Sequence, residues 1–262
     1  MIPNEKEIRW LLKDKYNFSD SKINHFLQSK SGWSHLGPTQ IKKDIERIKA
    51  GEPVNYVIGW VDFLGCKIDL SKKTLIPRPE TEFWVSKVIN ELQQIKTKNF
   101  DILDLCCGSG CIGISVLKQV YHSNVSFADI SPGALEQSQI NLDRNFIKKN
   151  KYKIIKTNLF KNISSKYDFI LCNPPYVSVN EKNLDLQWEP KKALYAKHGG
   201  LFLIEKIIIE SPGYLNGPGL LFLEFGYNQK KEIKEILKTS LFKKYKFYKD
   251  QFGKYRYLKA II

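Results

Sequence analysis

The stretch DILDLCCGSGCIG, residues 101–113, decides how this 262-residue chain is read. Its first half is an apolar run of strand type, its second half begins a helix pattern, and Gly108 and Gly110 lie between them. A strand that passes through a glycine turn straight into a helix is a unit of a doubly wound sheet, where ligands sit beyond the carboxyl ends of the strands. Glycines let the backbone approach a ligand closely, and a helix N-terminus offers free N–H groups. The next strand, VSFAD, ends in Asp129, and an acid there can accept both hydroxyls of a ribose. A plain tight turn, with Asp129 capping the following helix, accounts for the same residues without a nucleotide.

Downstream the pattern alternates. SPGALEQSQINLDRNF predicts a helix capped by Ser131 with Pro132 in its first position. YKIIKTNLF and YDFILCNPPY read as strands, GGLFLIEKIIIESPGYL as a helix, GLLFLEFGY as a strand and QKKEIKEILKT as a helix. Such alternation predicts an α/β fold with a mostly parallel sheet covered on both faces. KYKFYKD and KYRYLKAII end the chain with no helix between them, which predicts an antiparallel hairpin at one side of the sheet.

Upstream, three short amphipathic helices are expected. Ile8, Leu11 and Leu12 share a stripe, as do Ile23, Phe26 and Leu27, and Ile41, Ile45 and Ile48 follow Thr39 as N-cap. VDFLGCKIDL reads as two strands around Leu64 and Gly65. A helix then starts at Pro79, with Phe83, Val85, Val88, Ile89 and Leu92 as its apolar positions. The expected division is a helical bundle over 1–52, a β-hairpin linker over 53–75 and an α/β domain over 76–262.

The formal net charge is +15, yet only five of the 42 basic residues are arginine. Lysine enrichment of this kind fits a coding bias as well as a phosphate-binding surface. Five cysteines with no CxxC pair predict small buried side chains rather than a disulfide framework or a metal site. The first residues, MIPNEKEIRWLLKDK, mix acids with bases and have no apolar signal core, and no stretch is apolar enough to span a membrane. A cytoplasmic protein is expected.

A second stretch carries the chemistry. LCNPPYVS, residues 171–178, ends a strand at the same edge as the glycine turn. Asn173 precedes proline and is pushed to extended backbone. Pro174 and Pro175 have fixed φ and no N–H, so their carbonyls are free to accept. With the Asn173 side-chain oxygen they suit a planar –NH2 group, which has two hydrogens to give. Tyr176 offers a face to pack on a flat group.

Together these motifs resemble class I S-adenosylmethionine-dependent methyltransferases, and NPPY resembles the motif of enzymes that methylate planar amino groups. GEPVNYVIGWVDFLG, LIPRPETE, ILDLCCGSGCIGIS, ADISPGALEQSQINL, FILCNPPYVS, EPKKALYA, GGLFLIEKII and GLLFLEFGYNQ occur in the order of the HemK/PrmC family, the peptide chain release factor glutamine methyltransferases. The resemblance covers the chain from about Gly51 onward. It implies a Rossmann-like methyltransferase sheet, S-adenosylmethionine as cofactor with S-adenosylhomocysteine as product, and the glutamine of a class I release factor's Gly-Gly-Gln loop as substrate. It implies Cys106, Cys107, Gly108, Ser109 and Gly110 as the cofactor loop, Asp129 on the ribose, and Asn158 and Leu159 at the adenine. Asn173, Pro174, Pro175 and Tyr176 hold the glutamine, with Asn173 also near the methionine part of the cofactor. Arg78 and Glu80 border the site. A monomer is expected, with the N-terminal bundle gripping the release factor and nucleic acid involved only indirectly.

The chain departs from the family pattern in three places. Cys106 replaces the first loop glycine, so the turn must fit a Cβ or take a negative φ; Asn158 replaces an aspartate; and position 159 is leucine where some relatives carry an aromatic. The alternative reading is an exocyclic-amine methyltransferase of DNA or RNA, which shares the NPPY chemistry but for which no separate base-recognition segment is seen. A binding module on an inactive scaffold is a third.

Overall fold

The computed structural model describes residues 5–28, 39–95, 99–181 and 186–262. The chain begins with helices α1 (Glu5–Asp14), α2 (Asp20–Gln28), α3 (Thr39–Lys49) and α4 (Val54–Ile58). The three expected stripes face one another: Ile8, Leu11, Leu12, Ile23, Phe26, Ile41, Ile45 and Ile48 form one core. The Thr39 side chain, expected as a cap, lies outside the described residues. Helix α4 was not expected. Five residues are too few to show a helical period, although Pro53 before it and Gly59 after it, at φ +94° with its N–H on the Asn55 carbonyl, were local signals. Val54, Val57 and Ile58 pack into the helical core, so the first part of the stretch read as a linker shares the bundle's interior.

Strands β1 (Trp60–Phe63) and β2 (Cys66–Asp69) follow as an antiparallel hairpin. The order is then α5 (Pro79–Gln93), β3 (Phe100–Leu105), α6 (Cys111–Gln119), β4 (Ser123–Asp129), α7 (Pro132–Arg144), β5 (Tyr152–Lys156), β6 (Tyr167–Cys172), β7 (Val177–Ser178), α8 (Lys191–Leu194), β8 (Tyr195–Ala196), α9 (Phe202–Glu210), β9 (Leu215–Glu224), α10 (Lys230–Lys238), β10 (Lys244–Lys249) and β11 (Tyr255–Ile261). Seven strands form one sheet in the order β10-β11-β9-β6-β3-β4-β5. The pairs among β9, β6, β3, β4 and β5 are parallel, and β11 is antiparallel to both of its neighbours. The expected closing hairpin is therefore present at one side of the sheet.

The central strands are buried on both faces, which is why they read as apolar runs rather than alternating ones. One face packs under α5, α6, α7 and the β1–β2 hairpin. The other packs under α9 and α10. In α5 the buried aromatic is Trp84, while Phe83 is half-exposed with the Lys87 ammonium 5.0 Å from its ring centroid. This reverses the expectation, which put Phe83 on the apolar face and left Trp84 out; Trp84 goes inside because its Nε1 finds a buried acceptor there, described below.

The β1–β2 hairpin is docked rather than suspended. Phe63, Cys66, Ile68 and Leu70 enter the main core. The edge of β2 is met by Asn141 of α7 and by Asn145, which caps that helix. Asn141 accepts from the Asp69 N–H at 2.7 Å and donates to its carbonyl at 3.1 Å, and Asn145 does the same for Lys67 at 3.2 and 3.0 Å. Their carboxamides complete the edge as a neighbouring strand would.

The chain runs from β3 outward to β4 and β5, then crosses back to β6 and β9 on the other side of β3. The point where the order reverses is the crevice between the carboxyl ends of β3 and β6. Register makes it sharper. Leu105 of β3 pairs with Ala128 of β4 and with Cys172 of β6, and Cys172 pairs with Leu223 of β9. The next residue on each strand continues the row: Asp129, Cys106, Asn173 and Glu224 stand side by side along one edge of the sheet.

Candidate active site

The turn after β3 uses a left-handed backbone three times, at Cys106 (φ +59°), Gly108 (+55°) and Gly110 (+79°). Cys106 thus keeps the conformation that a glycine would take freely, carrying its Cβ into a region that costs an L-residue about 1–2 kcal/mol. Neither a negative φ nor a different turn was needed. The turn is held from two sides. Asp129 accepts from the Gly108 N–H at 3.0 Å and, with its other oxygen, from Ser131 N at 2.8 Å. Ser138 of α7 donates to the Gly108 carbonyl at 3.1 Å, and Asn141 donates to that of Ser109 at 2.9 Å. Burial raises the Asp129 carboxyl pKa, and the N–H groups of Ser131, Gly108 and Ile130 oppose the rise. Below the turn, Asp104 is fully buried. One oxygen accepts from Gly113 N at 2.9 Å, and the other has no partner among the described residues. Burial pushes its pKa up to about 7.

A cavity of about 580 Å³ opens above this turn. Cys106, Cys107, Gly108, Ser109, Asp129, Asn158, Leu159, Asn173 and Pro175 line it, as do Arg78 and Thr81. Gly110 does not; it sits behind the turn, where a Cβ would meet Ser138 Oγ at 3.0 Å and Ile114 Cδ1 at 3.2 Å. A second cavity of about 140 Å³ is walled by Asn173, Pro174, Tyr176 and Val177 on one side and by Leu75, Arg78, Leu186 and Ala193 on the other. Leu75, Arg78, Asn173 and Ala193 line both cavities. The NPPY turn therefore splits between them: Pro175 faces the larger, Pro174 and Tyr176 the smaller, and Asn173 both. Glu80 lines neither.

A hydrogen-bonded network behind the turn was not foreseen. Asn173 Nδ2 donates to Thr81 Oγ1 at 3.2 Å, and Thr81 donates to Glu224 Oε2 at 2.7 Å. Trp84 Nε1 donates to the same oxygen at 2.7 Å, and the Tyr176 hydroxyl donates to Glu224 Oε1 at 3.0 Å. Glu224 is fully buried. Burial raises its pKa, while Trp84, Thr81, Tyr176 and the nearby Arg256 act against the rise. Burial, followed by the Glu224 charge, moves the Tyr176 phenol far above its ordinary range. Arg256 is itself anchored to Asp250 at 3.0 Å.

Backbone and loop are clamped as well. Gln229 Nε2 donates to the carbonyls of Tyr176 and Gly199 at 2.9 and 3.1 Å. Gly200 approaches so closely that a Cβ would lie 1.9 Å from the Tyr176 carbonyl oxygen. Arg78 pairs with buried Glu189, whose other oxygen accepts from Ile76 N at 2.9 Å. Glu224 carried a signal that reading overlooked: an acid closing the apolar run LLFLE, as Asp129 closes VSFAD. Thr81, Glu189 and Gln229 lie inside LIPRPETE, EPKKALYA and GLLFLEFGYNQ, but nothing local assigns them a role, because their partners are 92, 113 and 53 residues away.

Comparison with known proteins agrees with this geometry. The methyltransferase small domain family matches residues 86–258. The release factor glutamine methyltransferase of Streptococcus pneumoniae is 36% identical over 225 residues, covering 83% of this chain and 78% of that protein. The enzyme of the same name from Buchnera aphidicola subsp. Schizaphis graminum is 37% identical over 208 residues, covering 78% and 72%. Among solved structures, a methyltransferase from Pyrococcus furiosus superposes with a TM-score of 0.56 at 17% identity, over 82% of this chain and 95% of that one. The hMettl16 catalytic domain in complex with an RNA 3′UTR hairpin gives 0.59 at 20% identity, over 76% of each chain. These two likenesses show the fold. The sequence matches, with the paired cavities and the NPPY turn between them, show that this chain belongs to the release factor glutamine methyltransferase family.

Proposed function

We propose that the protein transfers a methyl group from S-adenosylmethionine to the side-chain nitrogen of the glutamine in a release factor's Gly-Gly-Gln loop. The observation that carries this reading is the wall of Asn173 between a large cavity and an amide-sized one. The larger cavity suits the cofactor. It has a carboxylate, Asp129, at the end of β4, open space above the Cα of Gly108, the Asn158 amide and apolar cover from Ile130, Leu159 and Leu203. Each Asp129 oxygen takes one N–H and keeps a lone pair for a ribose hydroxyl. When bound, S-adenosylmethionine supplies a methyl on a sulfonium, a good leaving group.

The chain's own residues supply position. Amide nitrogen is a weak nucleophile because its lone pair is conjugated with the carbonyl. Asn173 Oδ1 and the Pro174 carbonyl accept its two N–H groups, which aims the nitrogen toward the larger cavity and stabilises the positive charge that builds on it. Tyr176 packs against the substrate amide. Its hydroxyl donates a hydrogen bond to Glu224, so it serves as a surface and not as an acid. Incubation of release factor with the enzyme and cofactor should add one methyl, about 14 Da, to the Gly-Gly-Gln peptide. Methyl transfer to duplex DNA or RNA with none to the release factor would overturn the reading.

We further propose that α1 to α3 and the lysine-rich face from Lys230 onward grip an acidic surface of the release factor. Association should weaken with salt. No helix among the described residues is long and apolar enough to cross a membrane.

A further inference from the structure

We propose that Glu224 and Thr81 are positioning residues that fix which end of the Asn173 carboxamide faces the substrate, and so select a nitrogen bearing two hydrogens. This rests on the glutamine reading above. An asparagine carboxamide is nearly symmetric in shape but opposite in chemistry at its two ends, so packing alone does not orient it. Its partners must. Here the direction of every hydrogen bond is set by the carboxylate at the end of the chain.

Three donors converge on Glu224, Thr81 Oγ1, Trp84 Nε1 and the Tyr176 hydroxyl, and its carboxyl oxygens accept from all of them. Thr81 has one hydroxyl hydrogen, and Glu224 takes it. The Thr81 oxygen is left as an acceptor, so the atom of Asn173 facing it must be the donor, Nδ2. Oδ1 is thereby turned the other way, to the wall that Asn173 shares with both cavities. The reversed amide would set two acceptors 3.2 Å apart and present N–H groups to a substrate that also offers N–H. Two ends of one turn are pinned by the same carboxylate, Asn173 through Thr81 and Tyr176 directly. The register of the sheet puts it there, since Glu224 follows the residue paired with Cys172.

Thr81→Val keeps the shape and removes the oxygen; Thr81→Ser keeps the oxygen. On a Gly-Gly-Gln release factor, Thr81→Val should lower kcat about tenfold, the factor expected from one lost hydrogen bond. KM and cofactor affinity should stay within about twofold, and Thr81→Ser should recover most of kcat. Melting temperatures establish that both variants are folded. A direct readout needs no substrate: the Asn173 side-chain NH2 resonances, in protein labelled at asparagine nitrogen, should show slow exchange with water in the wild type and in Thr81→Ser, and fast exchange in Thr81→Val. Wild-type kcat in Thr81→Val, equal losses in both variants, or NH2 exchange that ignores the substitution would each overturn the inference. A wild type with the protected NH2 but no glutamine methylation would count against the proposed function and leave the orientation result standing.

Discussion

Two turns leave adjacent strands of the same sheet, at paired residues Leu105 and Cys172, and they are built in opposite ways. The turn after β3 is shaped by backbone. Three left-handed residues curl it, and its N–H and carbonyl groups are tied to Asp129, Ser138 and Asn141. The turn after β6 is shaped by side chains and rigidity. Two prolines fix its path, and a buried carboxylate behind it orders Asn173 and Tyr176. In the function proposed, a backbone cradle would surround a large ligand, and its path survives a changed side chain, since Cys106 keeps the left-handed φ of +59°. In the same proposal the second turn's pair of acceptors has to hold a few atoms in one place, which leaves less room for change.

That contrast can be broken experimentally, starting with the largest effect. Asn173→Ala should lower turnover about 10²–10³-fold, the usual loss when one preorganised polar contact to a transition state is removed, with a far smaller change in cofactor affinity. Single-turnover rates beside calorimetric binding would separate the two, and unchanged turnover would end the assignment of this turn to catalysis. Beneath the other turn, Asp104 has its carboxyl raised from an ordinary 3.8 to about 7. The folded state therefore binds this proton more tightly than the unfolded chain does, and ligand-free stability should fall as pH rises between about 4 and about 7, then level off, by a few kcal/mol in all. Asp104→Asn should flatten that slope in denaturant titrations run across the range.

Asp129→Ala should weaken cofactor binding roughly tenfold or more, the scale of a charged hydrogen-bond acceptor, while leaving the rate at saturating cofactor close to wild type. A loss confined to turnover would merge the roles of the two turns. The smallest effect tests the tolerance directly. Cys106→Gly should stabilise the protein by about 1 kcal/mol through relief of the left-handed backbone, read as a shift of the denaturation midpoint, and should leave cofactor affinity within a few-fold. A destabilised variant would mean that the Cys106 side chain, which packs against the core on the α9 and α10 face, matters more than its φ.

Much of this was legible before any coordinates. Continuous apolar runs and helical stripes gave the alternating strands and helices, and the acid at the end of VSFAD pointed to Asp129. What escaped reading had physical reasons. Helix α4 is shorter than its own period. Phe83 reads as the apolar position of its pair, yet Trp84 takes the inside place, because its Nε1 meets a buried acceptor 140 residues away. The hairpin looked like a connector because its partners, Asn141 and Asn145, lie on and at the end of a helix far along the chain.

By itself, the sequence determined which residues end the strands and which turns are stiff or free, because proline, glycine and β-branched residues act on their own backbone. The tertiary structure decided what those strand ends do together. Asp129, Cys106, Asn173 and Glu224 come from four strands, and only strand order and register set them in one row. The orientation of the Asn173 amide is decided further off still, because a hydrogen bond's direction depends on what its partner has left to give, and that is fixed by a carboxylate 51 positions downstream, at residue 224 against 173.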